Sequence, residues 1–391
     1  MEIKESIGGI IHDISQSPIN AGIVCEMGMG GSSIVGSSLA CGLQKNGNNV
    51  HVISYSKSFR HLPKQVKFHR IKVKNFNVFQ HIPISLVAAG KIADVIKKES
   101  LDVINVHYAL PYAASAYLAK QMAGTKVPVI TTLHGTDVHT VGVHEQFRNV
   151  SKFVLESSDG ITTICNFLAE KIRENFDIEN EIKIIYNFVD TKKFRRKENP
   201  SLRNSFCAEG EKIIVHASNF RPIKKIDHII RAFRLVSKSI PSKLLLLGDG
   251  PEMQKMVRLV SRMKLRDKVI FAGAVRNPEK YYSVSDMFIM ASENEGMPLS
   301  IIEAMSCGVP VVAVNRGGMP EIVSDGDTGY IAEYGDIKDI AEKCMKIASD
   351  EGAQRKMGRN SRDMVEKKFD MKKNVAEYEK YYRRLMMTQG F

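Results

Sequence analysis

The stretch DMFIMASENEGMPLSIIEAMSCGVPVVAV, residues 286–314, decides the fold. It opens on a short apolar run, 286–290, and closes on another, 309–314. Runs of that kind read as strands covered on both faces, as in a parallel sheet. Between them, Pro298 fits the first position of a helix, where its missing N–H has no partner to lose. Gly308 fits the residue just past the helix end. The spacing predicts a helix over about 298–307, and with it a strand–helix–strand unit.

The same alternation extends outward. In this half, 212–217, 243–247 and 268–271 read as strands, and 226–237, 252–263 and 299–306 as helices. The first half repeats it, with apolar runs at 23–24, 50–54, 101–106, 127–132, 160–164 and 182–185 and helix-like stretches at 33–45 and 88–99. Strands alternating with helices imply an α/β chain with doubly wound parallel sheets. At 391 residues, the chain suits two Rossmann-like domains of roughly 100–200 residues each. The expected boundaries are a leader over 1–20 without an assigned role, a first domain over 21–190 and a polar linker over 191–210. A second domain follows over 211–372, and a final helix over 373–391 is expected to pack back on the first domain. Two such domains in tandem place a ligand cleft at the carboxyl ends of their strands.

Composition narrows the classes. Hydrophobic residues make up 43% and charged residues 25%, which is ordinary for a globular protein. The start lacks a basic region followed by an apolar run, and no stretch approaches about 18 apolar residues, so neither signal peptide nor membrane span is expected. None of the six cysteines stands at C-x-x-C spacing or beside a histidine cluster. That points to buried thiols in the cytoplasm and away from a structural zinc site. The net charge of +13 favours anionic ligands. It is spread over short runs without interleaved aromatics, so no nucleic-acid partner is expected, while peripheral membrane contact stays open.

The helix start carries the chemistry. Amides of Leu299, Ser300 and Ile301 would be free there, which suits a diphosphate. Glu295 precedes them in the loop with Met297 and Pro298, and Glu303 follows in the second turn. Carboxylates at such positions accept hydrogen bonds from sugar and ribose hydroxyls. Other strand ends add Gly317-Gly318, whose turn lets backbone approach a ligand, and Gly248-Asp-Gly250. Ser218-Asn219-Phe-Arg221-Pro-Ile-Lys224 brings two cations suited to a phosphate leaving group. In the first half, Gly28–Ser33 follows a strand and opens a helix, but its glycine spacing departs from the dinucleotide pattern, so hydride transfer loses ground. His134, before Gly-Thr-Asp137 at a strand end, is placed to touch a sugar. No Asp-x-Asp ends a predicted strand, so no metal is expected. Two rivals are a glycoside hydrolase using Glu295 and Glu303 as its acid pair and a sugar-binding module without catalysis. Helix-start amides and phosphate-type cations argue against both.

The Glu295-x7-Glu303 spacing, the Arg221/Lys224 pair, Gly248-Asp-Gly-Pro-Glu252 and Gly317-Gly-Met-Pro-Glu321 together resemble the retaining nucleotide-sugar glycosyltransferases of family 4, over about 22–382. The resemblance implies the GT-B architecture, with a nucleotide-sugar donor as substrate and neither cofactor nor metal. It implies that Glu303 holds the ribose, Glu295 approaches the transferred sugar, and Arg221 and Lys224 bind the diphosphate, with His134 completing the catalytic set. Gly30, Gly31, Asn219, Gly250, Met297, Pro298, Leu299 and Ser300 would line the donor. Further stretches, His107-Tyr-Ala-Leu-Pro-Tyr112, Leu133-His-Gly-Thr-Asp137, Ile185-Tyr-Asn-Phe-Val-Asp190, Ser58-Phe-Arg60 and Phe76-Asn-Val-Phe-Gln80, narrow it. They resemble the branch that joins N-acetylglucosamine from UDP to L-malate in bacillithiol biosynthesis. A small anionic acceptor would then meet Arg60, Tyr108, Thr132 and Ser32, with Arg60 supplying charge. Other acceptors within the family, a phosphoinositol, a lipid or a polysaccharide precursor, remain the alternative. A homodimer is compatible with either.

Overall fold

The computed structural model describes residues 17–28, 30–74 and 80–389. Most of the expected leader, and nearly all of the 76–80 stretch, lie outside the described residues. The chain divides into two compact units. The first runs to Ile164, resumes over Ala169–Ile185 and takes in the segment from Asn374 onward; the second comprises Cys165–Leu168 and Tyr186–Lys373.

The first unit contains β1 (Asn20–Val24), α1 (Gly31–Lys45), β2 (Asn49–Ser54), β3 (Lys67–Arg70), α2 (Ile84–Glu99), β4 (Val103–His107), α3 (Ala114–Ala123), β5 (Val129–Leu133), α4 (Glu145–Glu156) and β6 (Gly160–Thr163). Next come α5 (Asn166–Phe176), which belongs to this unit from Ala169 onward, and β7 (Ile182–Ile184). Its seven parallel strands lie in the order β3-β2-β1-β4-β5-β6-β7. The second unit contains β8 (Lys212–Ala217), α6 (Ile226–Ser239), β9 (Ser242–Leu247), α7 (Met253–Arg262), β10 (Val269–Gly273), β11 (Met287–Ile289), α8 (Leu299–Ser306), β12 (Val311–Val314), β13 (Gly329–Ala332), α9 (Ile337–Ser349) and α10 (Glu351–Lys368). Its six parallel strands lie in the order β10-β9-β8-β11-β12-β13. A last helix, α11 (Met371–Thr388), ends the chain.

These elements follow from the side chains. Leu244 to Leu247 of β9 are at most 1% exposed, as a strand covered on both faces requires. In α6 the buried Ile226, Ile229, Ile230, Phe233 and Val236 recur at the helical period and face the sheet. Asp336 caps α9 by accepting from the amides of Lys338 and Asp339, and Asp350 caps α10 through the Ala353 amide.

The expected linker over 191–210 is not one. Its residues belong to the second unit. Phe194 and Cys207 are buried in it. Arg203 donates to the carbonyls of Val284 (2.7 Å) and Glu211 (2.9 Å) and to the Asp286 carboxylate (2.9 Å). A polar composition hid a segment fixed by one arginine.

Residues from Asn374 belong to the first unit. Tyr378 and Tyr382 of α11 are buried there, and the Tyr382 hydroxyl accepts from Asn105 Nδ2 at 2.8 Å. Glu379 accepts from Asn46 and Asn48. Glycine makes room: a Cβ on Gly42 would lie 2.5 Å from Val375, and one on Gly160 would lie 2.6 Å from the Tyr381 hydroxyl. Among the described residues, no helix is long and apolar enough to cross a membrane.

Both sheets reverse their strand order at the equivalent place, between β1 and β4 and between β8 and β11. Loops leaving such a pair of strands diverge and open a crevice at their carboxyl ends. That fixes where each unit can hold a ligand.

Candidate active site

In the second unit, β8 and β11 end side by side. His216, in β8, spans the two strand ends: its Nδ1 bonds the Ile289 carbonyl at 2.9 Å and its Nε2 meets Ser218 Oγ at 2.8 Å. Burial pushes its pKa down to about 4, so the ring is neutral, donating through Nδ1 and accepting through Nε2. Nothing in the sequence singled it out beyond a histidine near the end of an apolar strand.

The loop after β8 is shaped from outside. A Cβ on Gly248 would lie 1.8 Å from the Ser218 carbonyl oxygen, and one on Gly250 would lie 2.7 Å from the Phe220 nitrogen. Phe220 N donates to Asp249 O, and Glu252 N donates to Phe220 O, both at 2.9 Å. So Gly250, expected to line the donor, presses against backbone and positions Asn219 to Arg221. The loop after β11 is shaped the same way. A Cβ on Gly317 would sit 2.0 Å from the Glu295 carbonyl oxygen, and one on Gly318 would sit 2.0 Å from that of Gly296. Gly318 N also donates to Glu295 O at 2.9 Å. The close approach of Gly317-Gly318 is to this loop. Glu321, at the end of the same motif, accepts from the amides of Asn166 (3.0 Å) and Phe167 (2.8 Å), which cluster with this unit.

The two loops meet. Lys224 Nζ donates to Glu295 Oε1, with both side chains 16% exposed. Lys225 and Glu293 pair at 2.8 Å, and Glu293 N donates to Ile223 O at 2.9 Å. Arg221 is exposed and makes no ion pair among the described residues. Beside this junction α8 begins. Pro298 is its cap, with extended ψ of 116°, rather than its first helical residue; the helix starts one residue later than expected. Ile301 N is taken by Pro298 O at 3.2 Å, so its amide is not free as expected. The Leu299 and Ser300 amides have no partner among the described residues and leave an anion-binding end. Met297 turns inward at 3% exposure, and its carbonyl accepts from Asn187 Nδ2 at 2.7 Å, so only its amide can face a ligand. Glu303, also 3% exposed, has the Tyr282 hydroxyl 3.4 Å from Oε2. Lys224 and Glu295 pair where the two loops meet, the free Leu299 and Ser300 amides follow Glu295 at the start of α8, and Arg221 stands exposed in the loop that carries Lys224. That chemistry suits a diphosphate joined to hydroxylated groups.

Residues 29–193 match the family model described as Glycosyltransferase Family 4, and residues 199–364 match Glycosyl transferases group 1. The sequence is 36% identical over 367 residues, 93% of this chain and 96% of the relative, to the N-acetyl-alpha-D-glucosaminyl L-malate synthase of Bacillus anthracis. The chain belongs to glycosyltransferase family 4. It is a glycosyltransferase. A GDP-mannose-dependent phosphatidylinositol monomannoside mannosyltransferase of Mycolicibacterium smegmatis is 24% identical over 69% of this chain and 73% of its own. The fold is similar to that of a glycosyltransferase from Rickettsia africae, with a TM-score of 0.78 at 21% identity over 95% of this chain and 99% of that one. Sucrose-phosphate synthase from Thermosynechococcus elongatus gives 0.80 at 20% over 94% and 99%. These likenesses establish the GT-B fold.

The first unit of this glycosyltransferase gathers a second group where β1 and β4 diverge. Gly30 precedes α1 as its cap without a side-chain bond, and a Cβ on Gly31 would meet open space. Ser32 Oγ and the Tyr108 hydroxyl are 2.7 Å apart. Tyr108 holds φ of 83°, an uncommon state for a side chain of its size. Its ring meets His134 edge-on, with centroids 5.6 Å apart. His134 stacks on His107, with His107 Nδ1 2.8 Å from His134 Nε2. Burial pushes His107 down to about 3, and burial with His107 alongside holds His134 well below the usual imidazole range. Among the described residues His107 Nε2 is buried without a partner. With the shared proton on His107 Nδ1, the His134 Nδ1–H is left as a hydrogen-bond donor. Asp137 holds that turn by accepting from the amides of His134 (3.1 Å) and Gly135 (2.9 Å).

Two acceptor expectations fare differently. Thr132 is fully buried, with Oγ1 2.8 Å from Asn105 Oδ1 and 2.7 Å from Thr162 Oγ1, and Tyr378 also bonds it. It serves the packing of α11 and cannot touch an acceptor. Arg60 is half-buried in the segment between β2 and β3. Glu26, next to the glycine loop, is engaged by the hydroxyls of Ser56 (2.7 Å) and Tyr112 (3.0 Å).

Proposed function

We propose that this glycosyltransferase moves N-acetylglucosamine from UDP-N-acetylglucosamine to L-malate, with retention at the anomeric carbon and without metal or other cofactor. The observation that carries the reading is 36% identity, over almost the full length of both chains, to a synthase with that donor sugar and acceptor in its name. The chemistry of the second unit agrees with it. Arg221 and Lys224 with the Leu299 and Ser300 amides supply positive charge where a departing diphosphate develops negative charge, which a metal otherwise provides.

In this reading the acceptor hydroxyl attacks from the face that the diphosphate leaves, and the leaving phosphate oxygen takes its proton. The protein contributes position and charge rather than a nucleophile. Lys224 exchanges Glu295 for phosphate when donor binds, which frees Glu295 for the sugar hydroxyls. Glu303 takes the ribose, Asn219 lines the donor, and the His134 Nδ1–H donates to a sugar oxygen. Tyr108 and Ser32 are hydroxyl donors for a carboxylate, and Arg60 its countercharge. Six free cysteines, five of them buried, suit a cytoplasmic enzyme.

The test is direct. Protein, UDP-N-acetylglucosamine and L-malate are incubated with EDTA, UDP release is measured, and the anomeric configuration of the product is read by NMR. An α-linked glucosaminyl malate at full rate in EDTA is expected. Transfer only to a phosphoinositol, lipid or polysaccharide precursor sinks the acceptor assignment, and activity restored only by a divalent ion sinks metal independence.

A further inference from the structure

The proposed chemistry uses none of the side chains at the edge of the first sheet. There His51 of β2, His69 of β3 and Glu99, the last residue of α2, converge. His51 pairs in register with Lys67, and His69 lies two residues along β3, so all three side chains leave the same face of the sheet. His51 Nδ1 is 3.1 Å from His69 Nε2 and 3.8 Å from Glu99 Oε2, and the three ligand atoms lie within 4.8 Å of one another. Tetrahedral zinc, with bonds of about 2.0–2.1 Å, needs neighbouring donors roughly 3.3 Å apart. The observed separations bracket that value.

We propose that His51, His69 and Glu99 form a binding site for a zinc ion, which ties the edge strand β3 to β2 and to the end of α2. Two imidazoles and one carboxylate are the donor set of a borderline divalent cation, and water completes the fourth position. Both rings are held neutral, His51 at about 4 chiefly by burial, as metal ligation requires. Without the ion, the facing nitrogens share one proton; with it, the donating ring carries that proton on its other nitrogen. Lys67 occupies Glu99 Oε2 at 2.8 Å. Lys67 is 62% exposed, so this is a surface pair that a cation can displace at small cost. Lys91 and Lys98 add positive charge near His69 and set a limit on affinity. Cysteine spacing alone pointed away from zinc; these ligands stand 18 and 30 residues apart on three elements, a pattern without a sequence signature.

The experiment uses untagged full-length protein stripped with chelator and titrated with zinc against a chromophoric competitor, with metal content read by mass spectrometry. One zinc per chain at micromolar free zinc is expected, with the melting temperature rising about 5 °C at a hundredfold excess over the dissociation constant. His69→Gln and Glu99→Gln, both at partly exposed positions, should each weaken zinc at least tenfold. Lys67→Ala removes no ligand and should tighten it. UDP release should be the same with and without zinc, which separates this site from the transfer reaction. No stoichiometric zinc in the wild type, or equal affinity in the wild type, His69→Gln and Lys67→Ala, overturns the proposal.

Discussion

Gly317→Ala tests whether the site is built by backbone packing rather than by the side chains that carry its chemistry. Gly317 has φ of 59°, and an added Cβ would stand 2.0 Å from the Glu295 carbonyl oxygen and 2.9 Å from the Glu295 nitrogen. The left-handed conformation costs alanine about 1 kcal/mol. The contact costs more: even the tightest tolerated separation requires the Glu295 backbone to retreat by about 1 Å. A shift of that size at a catalytic position lowers rate about 100-fold. The Lys224–Glu295 pair and the start of α8 would both move with it.

Gly326→Ala is the control. Its φ is 76°, and a Cβ there meets nothing within 4 Å, so it carries the conformational penalty without the collision. Both variants are assayed for UDP release under initial-rate conditions and for stability by urea unfolding. Gly326→Ala should lose about 1 kcal/mol and keep its activity, while Gly317→Ala should lose kcat/KM about 100-fold as a folded protein. Wild-type kcat/KM in folded Gly317→Ala would refute the reasoning.

Arg221→Ala should lower kcat/KM 10- to 100-fold, the worth of a charge-assisted bond to phosphate, and leave stability within about 0.5 kcal/mol because the side chain is exposed; a stability loss without a rate effect counts against the diphosphate role. Glu295→Gln releases Lys224 and should lower kcat more than tenfold while donor KM stays level or falls; a rise in donor KM alone would contradict the exchange. Thr132→Val should cost about 1–3 kcal/mol, because Asn105 and Thr162 lose a buried partner, with malate KM unchanged; a raised malate KM would return Thr132 to the acceptor site. His216, depressed to about 4, is protonated in the unfolded chain below about 6.5 but not in the folded one, so its contribution is whole above that pH and is lost as pH falls toward 4. Wild type should lose about 2 kcal/mol from this ring between pH 7 and pH 5, and His216→Gln should lose that much less; identical pH slopes would exclude the assignment.

The parts legible in the sequence were those set by local period. The run from Met287 to Val314 declares strand, helix and strand through apolar spacing, Pro298 and Gly308, and α8 begins within one residue of its expected start. β3 was missed because Lys67-Phe-His-Arg70 lies at a sheet edge and lacks an apolar run. Gly329–Ala332 of β13 is too short and too ordinary to stand out. Site residues held by distant partners were misread for a different reason. Thr132 ends an apolar strand as a ligand-binding residue does, and only partners from other elements, Asn105, Thr162 and Tyr378 of α11, make it structural. The His107–His134 pair rests on register, since His107 aligns with Thr132 across β4 and β5, and register is not written in either strand alone.

The glycines draw the sharper lesson. A glycine pair at a strand end says that something approaches closely, but not what. In the second unit that something is the neighbouring loop at every turn: Gly248 and Gly250 against 218–220, Gly317 and Gly318 against 295–296. Each of these two loops is therefore backed by another loop with no side chain between them, which leaves little slack for Lys224 or Glu295 to drift. Preorganised charge is effective because it does not have to reorganise when the transition state forms. A short, exposed loop would not ordinarily hold that precision, and here it does so by leaning on backbone. The residues proposed to carry the chemistry are then only half of the site; the glycines that hold their loops against neighbouring backbone are the other half.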